Sequence, residues 1–170
     1  MVRQMDIMIF LEAIKFIFPA YCANAIPVLA GGGLPLDFGK NFFDEKPVFG
    51  KNKTFRGFFF GLAVGTVVGM VESFFFKEYS FCFGFVLSLG ALVGDLIGAF
   101  LKRRLGLKPG DLLPIIDQVD FIIGAIVFAS IFYMPIISLE LIIAVLIITM
   151  PLHVLTNYAA YKAGLKSNPW

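Results

Sequence analysis

Five stretches of this 170-residue chain, at about 7–30, 56–76, 81–101, 121–138 and 140–161, are apolar for nearly the length that crosses a hydrocarbon core, which takes roughly 20 helical residues. Inside lipid no water can satisfy a bare backbone N–H or carbonyl, so such stretches must close their hydrogen bonds within themselves. The chain is therefore expected to be an all-α integral membrane protein with five transmembrane helices. Composition agrees: 59% of residues are hydrophobic and only 15% charged, against about 25% charged in soluble domains. Five crossings leave no length for a separate soluble domain, so 1–170 reads as a single polytopic domain.

The N-terminal run continues to about Leu29 without a short apolar core and small-residue cleavage site, so it reads as the first membrane helix rather than a signal peptide. Two longer polar segments remain, Gly31 to Arg56 and Lys102 to Asp120. The first holds Lys40, Lys46, Lys51, Lys53 and Arg56, and five crossings put both on the same side as Lys162 and Lys166. Because Lys and Arg accumulate in cytoplasmic loops, both segments and the C-terminus are expected in the cytoplasm and the N-terminus outside. A net charge of +2 is too small to indicate nucleic acid. Cys22 and Cys82 lie far apart in apolar runs and suggest neither a disulfide framework nor a metal site.

Glycines recur every fourth residue at Gly57, Gly61, Gly65 and Gly69, and again at Gly90, Gly94 and Gly98. That spacing gives each helix one bare face, on which a neighbouring backbone can pack closely. Asp95 adjoins the second series and is expected to point into the bundle, since an intramembrane carboxylate must face protein, water or a cation. A structural ion pair with Lys102 or Arg103 is the plainer alternative. Glu12 and Lys15, three apart in the first helix, are expected to pair with each other.

Charge concentrates between Asp95 and Asp120, where Lys102, Arg103, Arg104, Lys108, Asp111, Asp117 and Asp120 interleave. Asp117 and Asp120 are three apart where the fourth helix begins, so one helical face would carry both. Hard carboxylate oxygens suit Mg²⁺, which binds through one or two acids plus substrate phosphates. Asp95, Asp111, Asp117 and Asp120 are thus candidate metal ligands, although Asp117 alone could be a helix cap. A second basic stretch, Gly50-Lys-Asn-Lys-Thr-Phe-Arg56, lies in the other long loop. Together the two can neutralise a polyphosphate, Arg as a bidentate fork and Lys as a point charge. This is not a Walker loop, because Gly-x4-Gly-Lys-[Ser/Thr] is missing.

Asn24 and Pro27 precede Gly31-Gly-Gly33 and Asp37, and here the helix is expected to end or unwind beside a cavity. In the last helix His153 and Asn157 share a face with Tyr161. A lone histidine in such a setting more often packs and hydrogen-bonds than acts as a base.

Asn24-Ala-Ile-Pro27, Gly50-Lys-Asn-Lys-Thr-Phe-Arg-Gly57, Gly94-Asp95, Lys102-Arg103, Lys108-Pro-Gly-Asp111, Pro114, Asp117-Gln-Val-Asp120 and the ending from Thr156-Asn157 to Trp170 resemble the archaeal CDP-archaeol synthases. The Asp95 to Asp120 stretch is also similar to the signature of the larger phosphatidate cytidylyltransferases. It departs from them in its Pro109-Gly110 pair, in lacking a His-Gly-Gly before the final acids, and in Gln118 where they carry Arg.

The resemblance implies transfer of CMP from CTP to a prenylated glycerol phosphate lipid, with Mg²⁺ as cofactor. It implies catalytic roles for Asp95, Lys102, Asp117 and Asp120, and nucleotide or phosphate binding by Lys51, Asn52, Lys53, Thr54, Arg56, Arg103 and Lys108. Asn24, Asp37 and Asn157 are further candidates. Two other readings compete. A small cation or solute transporter could use the same acids, since intramembrane carboxylates are common there. A CDP-alcohol phosphotransferase fits less well, because the spacing of Asp117 and Asp120 is wrong for it.

Overall fold

The computed structural model describes residues 7–111, 113, 116–133 and 137–165. Pro114, Lys166 and Trp170, which entered the sequence reading, lie outside them. Among the described residues there are five helices and no strand: α1 Ile7–Ala30, α2 Phe55–Phe75, α3 Phe83–Arg104, α4 Ile116–Tyr133 and α5 Leu139–Lys162. All five are long and apolar enough to span a bilayer. The most enclosed is α3, with 56% of its apolar span buried, whereas α1 is the helix that packs against all four others.

Glycine decides the close packing. The buried residues of α2 are Gly57, Gly61, Gly65 and Gly69 alone. A Cβ on Gly69 would run into the backbone of Gly84 in α3, and one on Gly90 or Gly94 would meet the α4 backbone around Asp120 and Gly124. Without a hydrophobic drive between helices in lipid, such backbone approach is what holds a bundle together. Away from the site the core is conventional, with Phe16, Phe83, Leu87, Phe121, Ile122 and Val145 almost wholly buried. Tyr79 stacks on Phe83 at 4.3 Å between ring centroids.

Two boundaries differ from the sequence expectation, those of α3 and α4, each for a physical reason. α1 ends at Ala30 as expected, and runs unbroken through both Pro19 and Pro27 to reach it. Proline deprives the carbonyl four residues back of its donor, and here that carbonyl, of Ala23, packs against Gly61 of α2. The helix stops at the glycines, where Gly32 and Gly33 adopt φ of +93° and +84°, conformations costly for other residues. α3 extends to Arg104 and so carries Lys102, Arg103 and Arg104 as its last turn, where cations favour the negative helix end. α4 starts at Ile116 rather than near 121, placing Asp117 in its first turn at the positive end.

The segment between α1 and α2 folds on the Asp37 carboxylate, which accepts the amides of Gly39 (2.9 Å), Phe49 (3.0 Å) and Gly50 (2.8 Å). Burial pushes the Asp37 carboxyl upward, but these amides outweigh it and hold the group below its ordinary value. Backbone bonds Leu36 N–H to Lys53 O and Phe55 N–H to Leu34 O close the base of the loop. Thr54 then caps α2, its hydroxyl accepting the Gly57 amide at 3.2 Å.

Candidate active site

At the end of the bundle where α1 and α3 finish and α2 and α4 begin lies a cavity of about 630 Å³. That size is in the range of about 300–1,000 Å³ common for ligand sites. Its charged wall comes from two loops and two helices: Lys51 and Lys53, Asp95, Lys102 and Arg103 of α3, Asp111, and Asp117 and Asp120 of α4. Neutral polar groups, Asn24, Asn52, Thr54, Gln118, His153 and Asn157, share the lining with apolar Val28, Leu29, Val154 and Leu165.

Two lysines span the acids. Lys53 Nζ donates to both oxygens of Asp95, each at 2.6 Å. Lys102 Nζ donates to both oxygens of Asp117 at 2.9 and 2.7 Å. Asp95 is therefore not paired with Lys102 or Arg103, the structural alternative raised by proximity in sequence. On α3, seven residues separate Asp95 from Lys102, nearly two turns, so they share a face but reach to different elements. The Asp117 carboxylate also accepts the Leu113 amide at 3.0 Å.

Asp120 is held differently. One oxygen accepts the Phe121 amide at 2.6 Å, and the carboxylate lies against Gly98, where a Cβ would overlap it. Gly98 thus makes room for an acid, a role that the glycine spacing alone did not reveal. Asp95, Lys53 and Asp117 all lie within electrostatic reach of Asp120.

Arg103 is 4% exposed, and its Nε finds no hydrogen-bond partner among the described residues. Such a buried donor is expensive, and this one adjoins the cavity. Above it the two loops touch, since a Cβ on Gly50 would meet the Pro109 ring at 2.9 Å. Gly50 itself has φ of +97°, so glycine is required there twice over.

Arg104, its neighbour, faces away and fastens the first loop. Its Nε lies 2.8 Å from Asp44 Oδ2, and Nη2 donates to the carbonyls of Lys46 and Pro47. Lys46 Nζ returns a bond to the Arg104 carbonyl at 3.0 Å.

The structure brings together Asn24, Lys51, Asn52, Lys53, Thr54, Asp95, Lys102, Arg103, Asp111, Asp117, Asp120 and Asn157 of the expected residues. Arg56 and Lys108 are not among the lining residues, and the Lys108 amide instead donates to Asp111 Oδ2 at 2.6 Å. Asp37 acts on the cavity through the loop that it folds. The role expected of His153 is packing, and its ring does lie near Phe121, at 5.7 Å between centroids. It also lines the cavity, with the Asn157 amide 3.1 Å from Nδ1. Glu12 and Lys15 pair at 2.9 Å as expected, at the opposite end of the bundle, where Lys15 also approaches Glu78 at 3.5 Å.

The donors that could hold a divalent cation are the carboxylates of Asp95, Asp117 and Asp120; Asp111, the fourth candidate, lines the same cavity while accepting the Lys108 amide. Among the described residues no three or more His, Cys, Asp or Glu side chains are grouped as a ready-made cage. The acids instead fit a cation that completes its shell with substrate oxygens, the usual habit of Mg²⁺.

Five spanning helices around an ionic cavity at one bundle end define a polytopic membrane protein built to handle charged groups at the bilayer edge. Residues 5–170 match the profile of a family described as CDP-archaeol synthase, CarS-like. The CDP-archaeol synthase of Pyrococcus furiosus is 46% identical over 165 residues, covering 94% of this chain and 98% of that one. That of Methanocaldococcus jannaschii is 40% identical over 168 residues, 91% and 94% of the two chains. A solved structure described as an intramembrane enzyme for archaeal membrane lipids biosynthesis superposes with a TM-score of 0.79 at 34% identity, over 87% of this chain and 94% of that one. The chain belongs to the CDP-archaeol synthase family.

Proposed function

We propose that this protein is a CTP-dependent lipid cytidylyltransferase that makes CDP-archaeol. It transfers CMP from CTP to the phosphate of 2,3-bis-O-geranylgeranylglycerol 1-phosphate, an unsaturated archaetidic acid, and releases pyrophosphate. The observation that carries the reading is the single cavity in which Lys53, Lys102 and Arg103 interleave with Asp95, Asp117 and Asp120. Cation transport, the competing reading of the same acids, is not favoured by the family.

In the reaction a lipid phosphate oxygen bonds to the α-phosphorus of CTP, and the bond to the β-bridging oxygen breaks, its electron pair leaving with pyrophosphate. Such chemistry is chiefly positioning and charge stabilisation. Mg²⁺, held by Asp95, Asp117 and Asp120, would supply Lewis-acid stabilisation of the phosphate oxygens. Lys53 and Lys102 already lie against the acids and can turn their remaining donors to phosphate, while the buried Arg103 offers its unfilled donor. Lys51 and Asn52 extend the same wall. The apolar wall from α1 and α5 suits the parts of the substrates that carry no charge.

The two basic loops belong on the cytoplasmic side, with the N-terminus outside, because Lys and Arg gather at that end of the bundle. CTP then arrives from the cytoplasm while the prenyl chains stay in lipid.

The test uses purified protein, Mg²⁺, the prenylated glycerol phosphate and CTP labelled on either the α- or the γ-phosphate. The α-label is expected to enter the organic phase as CDP-lipid and the γ-label to remain in water as pyrophosphate. Absence of lipid-borne α-label with well-dispersed lipid would overturn the proposal. Asp120→Asn is expected to abolish the transfer in a folded protein, since a neutral amide is a much poorer ligand for Mg²⁺.

A further inference from the structure

The loop between α1 and α2 carries a tip that a water-facing loop would not need. Leu34, Phe38 and Phe42 are exposed, and Phe43 is 96% exposed. Phe38 also adopts φ of +53°, an uncommon and costly conformation for a bulky residue. The turn is held there by the Phe38 amide bonding to Pro35 O and the Gly39 amide bonding to Asp37.

Both arms of this tip continue onto surfaces that already face lipid. Phe38 packs on Phe55 at 5.2 Å, and Phe55 stacks on Phe59, whose ring is exposed on the outside of α2. On the other side Phe43 packs on Phe42 at 4.9 Å and Phe42 on Phe100 of α3 at 5.2 Å, beside exposed Leu101. Of the polar groups nearest these rings, Arg104 Nη2 donates to the Lys46 and Pro47 carbonyls, while its Nε and Nη1 are buried without a hydrogen-bond partner among the described residues. The Arg104 guanidinium lies over the Phe42 and Phe100 rings and pairs with Asp44, so burying the tip strands no bare ion there. Lys40 and Glu45, both exposed, remain for water and headgroups.

We propose that residues 34–43 form an interfacial anchor whose partner is the lipid bilayer itself. Leu34, Phe38, Phe42 and Phe43 enter the boundary between headgroups and acyl chains, extending the lipid-facing belts of α2 and α3 over the bundle end. Lys51 and Lys53 leave the same loop, so the anchor sets their height near the plane of the lipid phosphates.

A fluorescence experiment decides it. Trp170 is the sole tryptophan in the chain, so Phe43→Trp on a Trp170→Phe background places one reporter at an exposed position that tolerates the change. In nanodiscs the emission is expected to be blue-shifted, shielded from aqueous iodide, and quenched by lipid brominated near the headgroup end of its chains more than by lipid brominated near the terminal methyl. Iodide quenching without bromine quenching would mean that the tip stands in water. Insensitivity to both would mean that protein covers it, such as a second copy of the chain. Either result overturns the anchor.

Discussion

Gly98→Ala is the smallest change that reaches the chemistry without replacing a charged residue. An added Cβ would lie 2.8 Å from Asp120 Cγ and 3.0 Å from Asp120 Cβ, where carbon atoms prefer roughly 3.5–4.0 Å. Either α3 and α4 separate or the carboxylate moves by on the order of 1 Å, and such a misplacement costs about 100-fold in rate. The accompanying overpacking is worth about 1–3 kcal/mol. The assay is the initial rate of CDP-lipid formation, read beside the apparent Tm in the same detergent. Gly90→Ala is the control, because its Cβ would press on the Phe128 side chain and the α4 backbone, away from the acids. It is expected to lower the apparent Tm similarly and to retain much more activity. Gly98→Ala activity within a few-fold of wild type, or equal losses in both variants, would refute the claim that Gly98 seats Asp120.

Lys53→Met leaves Asp95 without the donor that spans both of its oxygens. It should cost about 2 kcal/mol of stability, typical for losing a charged hydrogen-bond partner in a partly buried setting, with turnover falling further than with Lys53→Arg; an unchanged apparent Tm would contradict the pairing. Asp37 tests the loop. Its folded carboxyl lies below the ordinary value of 3.8, so its contribution is whole above that pH and fades as pH falls through the depressed value. Asp37→Asn should therefore speed hydrogen exchange at the Phe49 and Gly50 amides at neutral pH, and equal exchange in the two proteins would count against the carboxylate as the loop's anchor.

The five helices were legible because lipid permits little else for apolar runs of that length. Their ends were less so. The apolar run put the start of α4 near 121, although the three-residue spacing of Asp117 and Asp120 pointed to a helix begun by then. The basic turn of α3 likewise read as lying beyond the helix. Candidate residues were legible as a density of charge, but pairing was not: Lys53 reaches Asp95 across 42 positions of sequence, and no local spacing encodes a tertiary contact. The same holds for Gly98, whose four-residue series explained packing well enough to hide its second role. Arg103 and Arg104 show the limit most clearly. They are adjacent in sequence, yet one lines the cavity and the other reaches away from it to hold a loop.

The central claim is that Asp95, Asp117 and Asp120 form one divalent-metal site that the nucleotide completes. Anomalous scattering from crystals grown with Mn²⁺ and a CTP analogue that cannot release pyrophosphate tests it most directly. The account predicts metal density between these three carboxylates, with the triphosphate against Lys53, Lys102 and Arg103, and its loss in Asp120→Asn. Metal bound elsewhere in the cavity, or nucleotide bound with no metal between the three carboxylates and Asp95 and Asp117 still paired with their lysines, would contradict it.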